Sequence, residues 1–344
     1  MKILANDGIS DLGKSLLEAA GHIVSTDKVD QAALATAINA QNFDAVLVRS
    51  ATTVRKEVID ACPNLKLIGR GGVGMDNIDV AYAREMGLTV INTPASSSQS
   101  VAELVMGQLF SISRFLNNSF KEMDGGDFSA LKKALAKGVE LRGKTLGIIG
   151  FGRIGQCLAS YALGAGMKVI ATSDVTGAIY QQDGIDFSAI DDKFTVASFK
   201  SKNEIDPAGI LSLEADVLIP AALGGVITDA VAATISAPLV IEAANQPVTA
   251  DGDATLRARG IEVVPDIMAN AGGVLGSYFE WTQNIQEFRW PISRFRDELD
   301  ARMAGAFKTV ANTADQHDCT LRDAAFVVAV GRVVESFLLR GQVV

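Results

Sequence analysis

The 344 residues suffice for two domains of ordinary size, and a hydrophobic fraction of 48% against 21% charged gives ample surface to bury without a disulfide or metal staple. A formal net charge of -9 works against affinity for phosphate backbones, so nucleic acid is not an expected partner, although a local basic site could still hold a small anionic substrate. No apolar run approaches the ~20 residues a membrane helix needs, and the opening MKILANDGIS reads as strand and turn rather than signal peptide, which points to a cytoplasmic protein with no membrane partner.

Taken in chain order, the β-type runs KILAN, HIVST, AVLVRS, LKLIGR and TVINTP alternate with segments of helical spacing, the pattern of an α/β domain around a parallel sheet. Ser100 and Glu103 then read as a capping box, followed by a helical stripe of Val101, Val105, Leu109, Ile112 and Leu116. The alternation restarts with TLGIIG, MKVIATSD, VLIPAAL, LVIEAAN and IEVVPD, strands apolar on both faces as a sheet between two helix layers requires. From about residue 277 the strands stop. Phe295, Leu299, Met303, Phe307 and Val310 fall at helical spacing, and a last helix runs to an expected cap at Gly341. The expected division is a first domain over 1–100, joined by terminal helices over 280–344, and a second domain over 101–279.

In TLGIIGFGRIGQ, Gly150, Gly152 and Gly155 follow an apolar strand and open a helix, and Asp174 ends the next strand. That context turns a weak three-glycine pattern into a dinucleotide fingerprint. Gly150 supplies the tight turn, Gly152 lets backbone approach a pyrophosphate, and Gly155 allows close packing of helix on strand, while Arg153 and Ile154 begin the helix whose N-terminus faces the phosphates. Asp174 would accept from ribose hydroxyls and repel a 2′-phosphate, so the expected cofactor is NAD rather than NADP.

The segments LVRSATTV, LKLIGRGGVGMDNIDV, VINTPASSSQSVAEL and LRGKTLGIIGFGRIGQ resemble the D-2-hydroxy acid dehydrogenases, in their D-3-phosphoglycerate dehydrogenase branch, over residues 1 to about 170. The resemblance implies a flavodoxin-like parallel α/β domain followed by a Rossmann NAD-binding domain. It also implies a homodimer, and a carboxylate held by the backbone of Gly71, Gly72, Val73 and Gly74, with Arg49 and Arg70 beside an anionic phosphate. Consecutive amides in a glycine-rich turn and an arginine fork suit that task on chemical grounds. From about residue 171 to 341 the chain resembles another family. ADVLIPAALGGVIT, LVIEAANQPVT, RGIEVVPDIMANAGGVLGSYFEWTQNIQEFRW and LRDAAFVVAVGRV are similar to the cofactor domain and terminal helices of glutamate and leucine dehydrogenases. This implies that Asn245 and Asn270 contact the nicotinamide riboside end of the cofactor and that Ser277 lies near the substrate side chain. Gln246 and Val248 stand where that family usually has glycine and threonine. The chain therefore reads as a chimaera with its junction near MKVIATSDVTG.

The chemistry of neither family reads as complete. Hydroxy acid oxidation needs a histidine to take the proton and an arginine to grip the carboxylate, yet VVPDIMANAGGV carries no histidine, and the strand-end stretch after LVIEA continues Ala243, Ala244, Asn245. His22 and His317 read as surface or packing residues. An amino-acid dehydrogenase needs a lysine in a GGGKGG-like stretch, and none occurs; Lys144 and Lys168 read as solvated charges. Asp266 is the one weak candidate for an acid or base. Cys62, Cys157 and Cys319 are odd in number and scattered, which fits packing, and no metal site is expected. Three functions remain: a weakly active oxidoreductase of small 2-hydroxy acids such as 3-phosphoglycerate, an amino-acid dehydrogenase, or an NAD-binding scaffold, natural or engineered, without turnover.

Overall fold

Five strands, β1 (Lys2–Ala5), β2 (Ile23–Ser25), β3 (Ala45–Val48), β4 (Leu67–Arg70) and β5 (Thr89–Asn92), pair in the order β2-β1-β3-β4-β5, all parallel. This is the flavodoxin-like order expected from the sequence. Alternation along the strands sends Leu4, Val46, Ile68 and Val90 to one face, where Leu34, Ile38, Phe43 and Ile59 cover them, and Ile3, Ala5 and Ala45 to the other. The computed structural model describes residues 1–72, 74–93, 98–116, 119, 127–187, 195–199, 203–286 and 288–340. They divide into two units, Met1–Ser97 and Ser98–Val344.

The second unit holds β6 (Thr145–Ile149), β7 (Lys168–Asp174), β8 (Gly177–Tyr180), β9 (Glu204–Ile205), β10 (Val217–Pro220), β11 (Leu239–Ile241) and β12 (Glu262–Val264) in the order β12-β11-β10-β6-β7-β8-β9. The five strands expected from the sequence pair in parallel. β8 and β9 were not anticipated. They extend the edge antiparallel, because Asp174 to Gly177 turns the chain straight back on β7 instead of into a helix. Leu146 and Ile148 pack with Val101, Val105 and Leu109 on one face, and Leu218 and Val240 with Ile227 and Leu256 on the other.

The helix carrying the first stripe spans Ser98–Arg114, so Ser100 lies inside it rather than at its cap, and Leu116 lies beyond its end. The Glu103 carboxylate instead accepts the Tyr161 hydroxyl at 2.8 Å, so the expected capping box is not formed. Helices Gly272–Gln286, Ile292–His317 and Leu321–Leu339 follow. Where the sequence reading joined 280–344 to the first domain, these helices group with the second unit. Met268, Val310, Ala314, Ala324 and Ala325 bury together, and the last helix packs on β12. Phe326, Val330, Val333 and Phe337 on that helix stay exposed. The expected cap at Gly341 lies outside the described residues. Among the described residues, no helix is long and apolar enough to cross a membrane.

Candidate functional site

The parallel strands of the second unit end on one edge, and the strand order reverses between β6 and β10. Loops leaving the two strands at such a point diverge and open a crevice for ligands. Gly150 leaves β6 with φ 97, and its amide and that of Phe151 both donate to the Ser173 carbonyl at 2.9 and 2.6 Å, which locks the turn to β7. A Cβ on Gly150 would lie 2.6 Å from the Ala222 Cβ, and one on Gly155 would run into the Gly150 carbonyl oxygen. Packing alone therefore demands these two glycines. Gly152, the N-cap of helix Arg153–Gly164, is different: a Cβ there would meet nothing within 4 Å. It faces open space beside the first-turn amides of Arg153 and Ile154, a three-turn helix end suited to an anion.

Asp174 ends β7 with its carboxylate already in use. Its Oδ1 accepts from the Thr176 amide and hydroxyl, and its Oδ2 from the Val196 amide at 2.7 Å. One lone pair on Oδ2 remains for a further donor. On the other side of the switch point, the chain leaves β11 through buried Glu242 to exposed Asn245 and Gln246. Asn270 donates from Nδ2 to the Asn245 Oδ1 at 2.7 Å, so the two asparagines come together as a pair. Gln246 has φ 46, in the left-handed region that favours glycine, the residue usual there in the resembled family. Ser277 sits exposed on helix Gly272–Gln286.

Asp266 does not present an open carboxylate. Its Oδ2 accepts the Gln246 amide and its Oδ1 the Ile267 amide, both at 2.8 Å, and the Arg322 Nη1 lies 3.8 Å from Oδ1. Arg322 also donates from Nη2 to the Glu242 Oε1 at 2.7 Å and from Nε to the Asp253 Oδ1 at 2.8 Å. Burial pushes the Glu242 carboxyl up, against the pull of Arg322. Burial also opposes the charge on Arg322, but Glu242 and Asp253 outweigh it and raise the guanidinium above its usual value. The sequence reading missed this cluster, since ion pairs between remote segments leave no spacing signal.

The first unit has its own strand-end cluster. Asp7 accepts the Arg49 amide at 2.7 Å, the Thr52 amide at 3.1 Å and hydroxyl at 2.6 Å, and the Lys28 ammonium at 2.5 Å. Asn77 ties the same loop by donating to the Arg49 and Thr52 carbonyls. The residues of the expected anion cradle lie beside this loop. The Gly71 amide donates to the Val48 carbonyl and the Gly72 amide to the Arg70 carbonyl, so two of its four amides are spent within the chain. Val73 lies outside the described residues. Arg70 is mostly buried, with its guanidinium against Ser50 and Asp76, while the Gly74 Cβ position is crowded by Asp76 and Arg70. Arg49 is half-buried at the end of β3.

Cys62 is buried in the first core, Cys157 and Cys319 are half-buried, and all three are free. His22 meets the N-terminal amine, and His317 ends its helix. Among the described residues, no cluster could hold a metal ion.

The profile of the glutamate/leucine/phenylalanine/valine dehydrogenases matches residues 125–341, more than half of the chain. The chain belongs to that dehydrogenase family. The NAD-specific glutamate dehydrogenase A of Halobacterium salinarum is 42% identical over 200 residues, 57% of this chain and 46% of that protein. The chain thus spans just under half of that relative's length. Among solved structures, the hetero-hexameric glutamate dehydrogenase of Thermus thermophilus in its Leu-bound form superposes with a TM-score of 0.57 at 24% identity, covering 82% of this chain and 66% of that one. D-2-hydroxyisocaproate dehydrogenase superposes with a TM-score of 0.53 at 21% identity, covering 78% and 80%. At these identities both structures speak for a shared dehydrogenase fold and nothing finer. The glutamate/leucine/phenylalanine/valine dehydrogenase profile begins upstream of Gly150 to Gly155, the loop whose sequence resembled the hydroxy acid enzymes. This loop therefore lies both within the matched residues of that family and within the sequence resemblance to the hydroxy acid enzymes.

Proposed function

We propose that the second unit binds NAD(H) at its β6–β10 switch point and that the chain is an oxidoreductase of small amino or 2-keto acids. The observation that carries this is Gly152, which the packing of the protein does not require but close approach of a pyrophosphate does. The residues fit the group. Gly152 and the amides of Arg153 and Ile154 would take the pyrophosphate, Asp174 one hydroxyl of the adenosine ribose, and Asn245 with Asn270 the nicotinamide ribose. Once bound, NAD supplies a hydride acceptor. The chain's own residues orient it, and the Asp174 charge repels a 2′-phosphate. The family membership and the NAD-specific relative support the amino-acid reading. Ser277 would border the substrate.

A second reading, oxidation of a small 2-hydroxy acid, is favoured by the strand order of the first sheet and its Arg49 and Arg70 at the strand ends. On that reading the chain is a chimaera of two dehydrogenase families. A homodimer belongs to either reading, and the exposed Phe326, Val330, Val333 and Phe337 face offers apolar surface to cover. Calorimetric titration with NADH and NADPH, then assays of glutamate, leucine and 3-phosphoglycerate at saturating NAD, test the proposal. NADH binding well above NADPH, with a trace of activity on an amino acid, is expected. Equal affinities would remove the role given to Asp174, and activity on 3-phosphoglycerate alone would select the second reading.

A further inference from the structure

The Glu242–Arg322 cluster lies outside the glycine loop yet reaches the other half of the proposed cofactor site through an unbroken run of hydrogen bonds. Glu242 is fully buried, with one oxygen on Arg322 and the other accepting the Asp266 amide at 2.8 Å. Asp266 in turn holds the Gln246 amide, and the Gln246 carbonyl accepts the Gly225 amide at 2.8 Å. The stretch after β11 is thus fixed to the turn after β10. Asn270, at the end of the four-residue helix that Asp266 begins, bonds back to Asn245. Asn245 and Asn270 are therefore held from below by one guanidinium.

The charges make this arrangement conditional on Arg322. Three carboxylates, Glu242, Asp253 and Asp266, face it. The neighbouring Arg257 is taken up by Asp323. Without Arg322, a buried Glu242 would confront Asp266 with no cation between them, an arrangement that forces protonation or displacement. The short 266–269 helix begins at Asp266 and ends on its C-cap Asn270, so a displaced Asp266 bears directly on Asn270.

We propose that Arg322 is a positioning residue for the nicotinamide half of the cofactor: through Glu242 and Asp266 it sets the Asn245–Asn270 pair. The proposal rests on the reading that NAD(H) binds this unit. It assigns Arg322 no part in the adenosine half, which the Gly150–Gly155 loop and Asp174 serve from the opposite side of the switch point.

The test compares NADH with ADP, which lacks the whole nicotinamide riboside, in the full chain and in Arg322→Met and Arg322→Lys. Substitutions along such contact chains shift coupling by about twofold to thirtyfold. Arg322→Met is expected to lose NADH affinity in that range while ADP affinity is unchanged, and Arg322→Lys, which keeps the charge, is expected to recover part of the loss. Parallel losses for both ligands would mean that Arg322 only supports the fold, and unchanged NADH affinity would mean that the asparagines do not depend on it; either overturns the proposal. Should Arg322→Met not fold, Asp266→Asn cuts the same chain of contacts and must show the same selective loss, or the proposal fails. Failure of the NAD(H) reading itself is distinct, because the unsubstituted chain would then bind neither ligand.

Discussion

Adding one methyl group at two glycines three residues apart should produce opposite phenotypes. In Gly155→Ala the new Cβ runs into the Gly150 carbonyl oxygen, which is backbone and is already fixed by the hydrogen bonds of its own turn to Ser173. Overpacking of this kind costs about 1–3 kcal/mol, and helix and strand can separate only by disturbing the buried contacts of Leu158 and Ile148. For a unit the size of Ser98–Val344, about 2–4 °C of melting temperature follows each kcal/mol, so a loss of about 2–12 °C is expected. In Gly152→Ala the methyl meets nothing within 4 Å, and φ at that residue is -71, which alanine adopts freely. Stability should change by less than about 1 kcal/mol, the range of an alanine at an N-cap offset by lower chain entropy. NADH affinity, however, should fall at least about tenfold, since the methyl occupies the space left for pyrophosphate. Thermal melts and a fluorescence titration of NADH decide both halves. Gly152→Ala binding NADH like the unsubstituted chain would refute the placement of the pyrophosphate, and Gly155→Ala melting unchanged would refute the packing argument.

Three further outcomes are expected. Burial works to raise the Asp7 carboxyl, but hydrogen bonds from Lys28, Thr52 and the Arg49 amide outweigh it and hold it below the usual aspartate range. Its stabilising effect is therefore present above the unfolded value of about 3.9 and lost as pH falls through the lower folded value, so acid melts should show a decline that Asp7→Asn flattens; an unchanged acid slope in that variant counts against the cluster. Asp174→Ala should narrow the preference for NADH over NADPH, and a ratio left intact places discrimination elsewhere. Turnover on any of the three acids should stay far below the ~10 s⁻¹ typical of enzymes, because a missing positioned acid or base alone costs about 10² to 10⁴ in rate. A rate above about 1 s⁻¹ that vanished in Asp266→Asn would show that the occupied Asp266 carboxylate opens during the reaction.

Periodicity and local chemistry made ten of the twelve strands among the described residues and the glycine loop legible, because each rests on neighbours within a few residues. β8 escaped because the turn at Asp174 to Gly177 before it resembles the end of any strand, and β9 because it has only two residues. Ser100 and Glu103 had the right spacing for a cap, yet the helix began two residues earlier and Tyr161, remote in sequence, claimed the carboxylate. The glycines at 71, 72 and 74 promised free amides, and nothing in their order announced that Val48 and Arg70 would take two of them. Resemblance singles out Asn245 and Asn270, and the fold shows them hydrogen-bonded, whereas Arg322 and Glu242 required the fold, since their meaning lies only in their pairing.

That pairing also sets an order of events in folding. Glu242 and its guanidinium partner are 80 residues apart, so at about 5–20 residues per second a growing chain carries the carboxylate for about 4–16 s before Arg322 is made. An ionised carboxylate without its partner stays in water, and the end of β11 cannot close over it. The parallel core from β6 to β11 can assemble early, but its outer corner waits for the last helix to dock. Pulse proteolysis during refolding should accordingly find cleavage near residues 242–270 persisting after the β6–β7 region is protected, and the two becoming resistant together would show that the sheet closes without its clasp.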